Sequence, residues 1–159
     1  MGNAVYYDYD ETKKNYAPYE MFLYLLSVCS SVKEVKEKIS GINVLNVEFS
    51  PKIPLASLHF MVSDKKESIV IETTKDGMKI YDNNLNVLTN NPEFSYHKNN
   101  VYNYMHLSIE DPVNKFSNEI ELDTISFGQG AIGIPGDYSS SSRFIKTLFV
   151  KSNLLMFDN

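Results

Sequence analysis

Short apolar runs separated by turn sequences constrain the fold of this chain more than any other feature. The runs are β-like, and they are Leu58–Val62, Ser68–Glu72, Met78–Tyr81 and Asn86–Thr89. The segments between them are rich in turn-forming residues, and they are Asp64–Glu67, Lys75–Gly77 and Asp82–Asn84. Such even spacing predicts an antiparallel meander. A meander needs another layer on its apolar face, and the helices that flank it in sequence are the candidates.

Two helices are predicted ahead of the meander. Pro18 suits the first turn of one helix. Its apolar residues recur with helical spacing, at Met21, Phe22, Leu25 and Leu26. A capping-box pattern over Ser31–Glu34 opens the second helix, which ends near Gly41. Its inward-facing residues are Val32, Val35 and Ile39.

The neighbouring segments carry weaker signals. Residues 1–16 lack periodicity and are predicted to form a loop, whereas residues 43–49 are predicted to form a strand that Pro51 ends. A further helix is predicted around residues 101–107. Cys29 falls in the joint between the first two helices, with no base fixed near it in sequence. A buried structural thiol is therefore favoured over a nucleophile.

A glycine-rich segment runs from Gly128 into a helix start. Its glycines are Gly128, Gly130, Gly133 and Gly136. This spacing is typical of a backbone that bends sharply and approaches another group closely. The segment is not a P-loop, since no Gly-Lys-Ser/Thr follows, and it is not a dinucleotide fingerprint, since its glycines do not open a helix. A surface loop before a core helix is the simplest interpretation.

Arg143 lies on the first turn of the helix that follows the glycine-rich segment. Asp137 or one of the residues Ser139–Ser142 can cap the orphan amides of that helix. The apolar stripe of the helix comprises Phe144, Ile145, Leu148 and Phe149. A helix N-terminus favours anions, so a cation here is placed against the helix dipole. Such a charge is expected to meet a partner.

Asn90 follows the last apolar run, within the sequence Val87–Pro92. An asparagine at a strand exit often caps a turn and does nothing more. A side-chain amide whose direction is set by a sheet is also a good oxyanion donor. From the residues alone both interpretations stay open.

Composition excludes several classes of protein. The 159 residues include 15 basic and 20 acidic side chains, and the net charge of −5 argues against a nucleic-acid or anionic-membrane binder. The single cysteine cannot form an internal disulfide. No apolar run reaches the roughly 18 residues of a membrane helix, and no signal region is evident. We expect one cytoplasmic domain, residues 1–159.

The scattered titratable residues offer no obvious metal site or catalytic pair. Structural roles are favoured for the three histidines, which are too widely spaced for a metal motif, and they are His59, His97 and His106. Three carboxylates around one hairpin are interpreted as solvated turn charges rather than a catalytic pair, and they are Asp64, Glu67 and Glu72. We therefore expect neither a metal nor a cofactor.

Several motifs taken together resemble the choloylglycine hydrolase family, the linear-amide hydrolases that include bile salt hydrolase and penicillin V acylase. They are Gly2–Asn3, Ser30–Val35, Leu55–Phe60, Lys66–Glu72, Asp82–Asn84, Val87–Pro92 and Gly133–Phe144. These motifs cover nearly the whole chain, in family-like order and spacing. The resemblance implies an α+β fold, part of the αββα sandwich of N-terminal-nucleophile hydrolases, with antiparallel sheets and flanking helices.

The resemblance also implies a catalytic site. In the family, a cysteine at the processed N-terminus attacks an amide carbonyl, and its own α-amino group serves as the base. Asn90 matches the asparagine that helps form the oxyanion hole. Arg143 matches the arginine beside the nucleophile, where a cation lowers the pKa of a thiol. The nucleophilic cysteine, the arginine and aspartate that follow it, and an asparagine upstream of Gly2 have no counterpart here.

Two classes of function stay open. The leading expectation is a central portion of a cysteine-dependent hydrolase, inactive by itself, whose parent acts on a small N-acyl amide such as a conjugated bile salt or penicillin V. The alternative is a non-catalytic binding or assembly domain on the same scaffold. Because a partial sandwich exposes sheet edges and apolar faces, we also expect a homo-oligomer.

Overall fold

Backbone contacts divide the chain into two units, Met1–Phe94 and Ser95–Asn159, and the computed structural model describes residues 4–154. Gly2–Asn3, the first of the family-like motifs, lies outside the described residues. The expectation of one domain over residues 1–159 stays a prediction.

The first unit contains the two predicted helices. Helix α1, Pro18–Val28, buries Met21 and Leu25, and helix α2, Val32–Ile39, buries all three residues predicted to face inward. The Ser31 hydroxyl accepts a hydrogen bond from the Glu34 amide, which confirms the cap of α2. The α1 stripe is narrower than predicted, because Phe22 and Leu26 are exposed.

A parallel strand pair accompanies these helices. Strand β1, Lys14–Tyr16, pairs with strand β2, Ile42–Val44, and β2 is buried throughout. The prediction of a loop over residues 1–16 is therefore wrong at β1. A strand is also predicted over residues 43–49, but the observed strand β2 includes only the first two of those positions. The β1–β2 pairing joins segments 28 residues apart, which local periodicity does not reveal.

The meander is present with three strands rather than four. Strands β3, Phe60–Ser63, β4, Ser68–Thr74, and β5, Gly77–Asp82, pair antiparallel in chain order. The central strand β4 is buried along its whole length. The fourth run, Asn86–Thr89, is not a strand, because the buried Asn83 amide binds the Val87 carbonyl and turns the chain away from the ladder.

The core of the first unit lies between its helices and its sheets. Its buried residues come from α1, α2, β2, β3 and β4, and they are Met21, Leu25, Val32, Val35, Ile39, Ile42, Val44, Phe60, Ile69 and Ile71. Most of these residues follow the helical or strand periodicity of the element in which they lie. The apolar residues predicted from that periodicity are therefore the ones that are buried.

The second unit contains one long helix and extended loops. Helix α3, Phe94–Asn100, continues into a 3₁₀ helix, Val101–Tyr104, so the helix predicted around residues 101–107 begins earlier and ends as a tighter turn. Helix α4, Ser140–Leu154, follows the glycine-rich segment as predicted. Between residues 4 and 154, no helix is long and apolar enough to cross a bilayer.

Candidate functional site

Asn90 is an exposed residue on a segment that is anchored on both sides. On its N-terminal side, the buried Asn83 amide donates to the Val87 carbonyl at 3.4 Å, and Val87 is itself buried. On its C-terminal side, the Asn91 side chain hydrogen bonds to His59 at 2.8 Å. Asn90 therefore projects from a stretch whose two flanks are tied to the body of the first unit.

Residues 87–94 are called the Asn90 segment below, and a buried pair formed by His59 and Glu72 contacts this segment. The ring nitrogen Nδ1 of His59 lies 2.6 Å from Glu72 Oε1, and both side chains are almost completely buried. The other ring nitrogen, Nε2, contacts Asn91 Oδ1. Glu72 Oε1 also accepts a hydrogen bond from the Phe94 amide at 2.9 Å, at the start of α3. The pair thus holds the Asn90 segment at two points, Asn91 and Phe94.

The surroundings of His59 favour its cationic form. The hydrogen bond that His59 donates to Glu72 raises the pKa of His59 above its ordinary value. Burial opposes this rise, and the Asn91 contact and the charges of Glu72 and Glu93 add to it. Lys79 lies 3.8 Å from Glu93 at the edge of the cluster. A buried imidazolium is tolerable here because a carboxylate faces it directly.

The interpretation of Glu72 as a solvated turn charge is wrong. Glu72 is 2% exposed, because it lies on the central strand β4. A signal for the pair was present in the sequence. Ser63 pairs with Ser68 and Phe60 with Ile71, and extending this register by one step places His59 opposite Glu72. The register of the predicted hairpin therefore places His59 and Glu72 opposite each other.

The other two carboxylates of that hairpin have structural partners. Asp64 accepts backbone hydrogen bonds from Val32, Lys66 and Glu67, which lower the pKa of its carboxyl. Glu67 forms an ion pair with Lys36 at 2.6 Å. Asp64 therefore caps the hairpin turn and also satisfies an amide at the start of α2.

Arg143 lies in the first turn of α4, on a backbone that a polar cluster holds in place. The Ser139 hydroxyl accepts from the Ser142 amide, and Asp137 accepts from the Ser139 amide and from the Ser142 hydroxyl. These hydrogen bonds hold the pKa of Asp137 well below its usual range. Ser139 is thus the residue that caps α4, one of those predicted.

The position of Arg143 is fixed from its other side by a buried aromatic pair. Phe144 is fully buried and stacks on the ring of buried His97, with centroids 4.9 Å apart and planes 10° from parallel. The structural role predicted for His97 is confirmed. Arg143 itself is exposed, so the anchored backbone places this residue at the surface of the helix.

Three of the four glycines in the glycine-rich segment lie where the backbone bends sharply or approaches another group closely, as their spacing predicts. Gly128 and Gly133 have positive φ angles of 77° and 94°. A Cβ at Gly130 would lie 2.2 Å from the Ile109 carbonyl oxygen. Gly136 has neither property, since its Cβ would meet open space. Three of the four glycines are therefore required by the backbone.

Cys29 is a half-buried residue at the C-terminal end of α1, and burial raises the pKa of its thiol. A raised pKa leaves little thiolate at neutral pH, which agrees with the structural role predicted for it. Across residues 4–154, no three His, Cys, Asp or Glu side chains cluster closely enough to hold a metal ion.

The structure places the two predicted site residues in different units, Asn90 in the first and Arg143 in the second. Each lies on an exposed position of a well-anchored backbone. That their side chains meet at one cleft stays a prediction. The residues that sequence reasoning missed are those that support Asn90, and they are His59, Glu72 and Asn91.

Known proteins resemble this chain over almost all of its length. The family model of linear amide C–N hydrolases, choloylglycine hydrolase family, matches residues 1–159. The bile salt hydrolase/transferase of Lactiplantibacillus plantarum is 50% identical over 154 residues, which are 97% of this chain and 48% of that protein. The bile salt hydrolase/transferase of Clostridium perfringens is 36% identical, over 93% of this chain and 45% of that protein.

A solved structure agrees with this match. A mutant of the conjugated bile acid hydrolase from Clostridium perfringens superimposes with a TM-score of 0.88 at 35% identity, over 98% of this chain and 48% of that one. The expected α+β fold of the N-terminal-nucleophile hydrolases is thereby confirmed. The chain spans about half the length of the curated relatives it matches. It belongs to the choloylglycine hydrolase family of linear amide C–N hydrolases.

Proposed function

We propose that these 159 residues supply the oxyanion and nucleophile-supporting side chains of a cysteine-dependent hydrolase that acts on conjugated bile salts. The observation that carries the proposal is the family match over residues 1–159, which includes the segments of both Asn90 and Arg143. Bile salts are favoured over penicillin V because the relatives described above are bile salt and conjugated bile acid hydrolases.

The proposed chemistry assigns one role to each residue. A cysteine thiolate attacks the amide carbonyl carbon, its α-amino group carries the proton to the leaving amine, and water then hydrolyses the thioester. Asn90 donates a hydrogen bond to the oxyanion that forms on the carbonyl oxygen. Arg143 stabilises the thiolate by its positive charge, which lowers the pKa of the thiol. The nucleophile is not among the 159 residues, because Cys29 is internal and has no free α-amino group.

A chimera tests this assignment directly. It carries the 159 residues in place of the matching half of the Lactiplantibacillus plantarum bile salt hydrolase/transferase, and amine release from taurocholate and from penicillin V is measured. We expect hydrolysis of taurocholate, and we expect Asn90→Ala to lower turnover by roughly 100- to 1,000-fold through loss of one oxyanion donor. Asn84→Ala, an exposed asparagine of the same unit, is the matched control and should leave turnover unchanged.

Arg143 has a separate readout. Arg143→Ala should move the acidic limb of the activity profile to higher pH, because the thiol loses a neighbouring cation. Arg143→Lys keeps a positive charge and should recover part of that shift. A folded chimera without activity towards either substrate would contradict the proposal and favour the alternative, a non-catalytic binding or assembly domain.

The 159-residue chain by itself should release no amine from either substrate, because oxyanion stabilisation without a nucleophile leaves little catalysis. Turnover by the chain that Cys29→Ala abolishes would show that Cys29 is the nucleophile after all. The same variant in the chimera should retain full activity.

Self-association is the second part of the proposal. Large apolar side chains of the second unit are exposed, among them Phe116, Ile125 and Phe127. Exposed apolar groups of this size favour contacts with another molecule. Sedimentation at micromolar concentration should show a homo-oligomer, and a stable monomer would refute this part.

The cytoplasmic location also stays a proposal, which fractionation of the source cells would test.

A further inference from the structure

The buried His59–Glu72 pair has no part in the chemistry proposed above. A histidine and a carboxylate almost without solvent contact, 2.6 Å apart, are expensive to bury unless a function or a strong structural need retains them. The pair also lies directly beneath the segment that carries Asn90. Its contacts therefore bear on how that residue is presented.

The side-chain hydrogen bonds of His59 and Glu72 run either between these two residues or to the Asn90 segment. His59 Nε2 holds Asn91 Oδ1 at 2.8 Å, and Glu72 Oε1 holds both His59 Nδ1 and the Phe94 amide. Asn90 shares a peptide plane with Asn91, so fixing Asn91 restricts the directions available to the Asn90 side chain. Within residues 4–154, Glu72 Oε2 has no hydrogen-bond partner. No second contact within this part of the chain therefore competes with the hydrogen bonds that Oε1 makes to His59 and Phe94.

The same geometry favours the protonated form of His59. Both ring nitrogens face acceptor oxygens, and an imidazole that donates from both nitrogens carries a positive charge. The titratable and charged groups around the ring are Glu72 on β4, Glu93 on the Asn90 segment, and Lys79 on β5 beyond Glu93. The two carboxylates outnumber the single ammonium, so the local field favours the cation.

We propose that His59 is a positioning residue for the amide-hydrolase reaction, which it serves by holding Asn91 so that Asn90 points at the oxyanion. The inference rests on the proposed function. It differs from a purely structural brace in one respect. A neutral ring has only one N–H to donate, and the Glu72 carboxylate is a stronger acceptor than the Asn91 amide oxygen, so loss of the ring proton weakens the Asn91 contact and with it the positioning of Asn90, while the fold is kept.

Kinetics of the chimera separate positioning from stability. His59→Ala should lower kcat by about 10- to 100-fold with KM little changed, because a misplaced oxyanion donor weakens transition-state binding. His106→Ala, an exposed histidine of the second unit, is the matched control and should keep kcat. All variants are assayed well below their melting temperatures, so that a loss of folded protein does not contribute.

The pH profile of kcat, measured at a temperature where every variant stays folded throughout the pH range, gives a readout that a structural brace would not move. Activity should fall on the alkaline side as the His59 ring loses its proton. Glu72→Gln keeps an acceptor oxygen for the Phe94 amide but removes the carboxylate charge, so it should shift this fall to lower pH. His59→Gln should abolish the fall, since a glutamine amide does not titrate.

The possible outcomes distinguish the two proposals. An inactive wild-type chimera overturns the proposed function and the inference with it. An active chimera in which His59→Ala matches His106→Ala in kcat overturns the inference alone. A crystal structure of the His59→Ala chimera adds a direct check, because Asn90 in its original orientation would show that His59 does not position it.

Discussion

Gly130 offers the sharpest test of the backbone geometry ahead of Arg143. A Cβ at this position would lie 2.2 Å from the Ile109 carbonyl oxygen and 2.8 Å from the carbonyl carbon. Both are backbone atoms, so no side-chain rotation can relieve the contact. Gly130→Ala must therefore move one of the two segments apart, which strains the hydrogen bond from the Ala131 amide to the Ser108 carbonyl.

The expected loss of stability follows from these two effects. Forcing an extra methyl group into a packed contact costs about 1–3 kcal/mol, and weakening one hydrogen bond costs about 1 kcal/mol. We expect Gly130→Ala to lower the free energy of unfolding by about 2–4 kcal/mol. In a chain of this length that corresponds to a fall in Tm of roughly 5–15 °C. Urea denaturation measures the first quantity and calorimetry the second.

Two other glycines of the segment are matched controls. Gly136 has open space around its Cβ and no positive φ, so Gly136→Ala should be neutral or stabilise by about 0.4–1 kcal/mol. Gly128 also has open space but a φ of 77°, so Gly128→Ala should cost about 1–2 kcal/mol from backbone strain alone. The reasoning is refuted if Gly130→Ala proves no more destabilising than Gly136→Ala.

Three further outcomes are expected. Because Glu72 raises the pKa of His59, the stability this pair contributes is complete below the ordinary histidine pKa and is lost as pH rises through the raised value. Urea titrations from about pH 5 to about pH 9 should show that decline, and His59→Gln should remove it. Ser31→Ala removes the cap of α2 and should cost about 1 kcal/mol by the same method. Ile71→Ala, in the buried centre of β4, should cost about 2–5 kcal/mol in calorimetry, and a smaller loss would contradict its fully buried position.

Elements with strong local signals were predictable from the sequence. Helices α1 and α2 begin at a proline and a serine cap, and the three strands of the meander are separated by turn residues. Strand β1 was not predictable, because its parallel partner β2 lies beyond two helices and its own sequence has no periodicity. The run Asn86–Thr89 resembles a strand in composition, but the Asn83 side chain binds Val87 in place of a neighbouring strand.

The site was predictable only in part. Asn90 and Arg143 came from motifs, and the structure places each of them at an exposed position of an anchored backbone. The residues that support Asn90 were missed for different reasons. Glu72 lies opposite His59 by simple extension of the hairpin register, so it was accessible to sequence reasoning. The Asn91 contact was not, since it joins residues 32 apart through a loop without regular structure.

Asn90 and Arg143 are proposed to serve one catalytic site, and a crystal structure of the active chimera would test whether they do. We predict that the Asn90 amide points at the oxyanion position and that the Arg143 guanidinium lies within about 6 Å of the nucleophilic sulfur. Side chains that face different layers, or that a packed core separates, would contradict the claim.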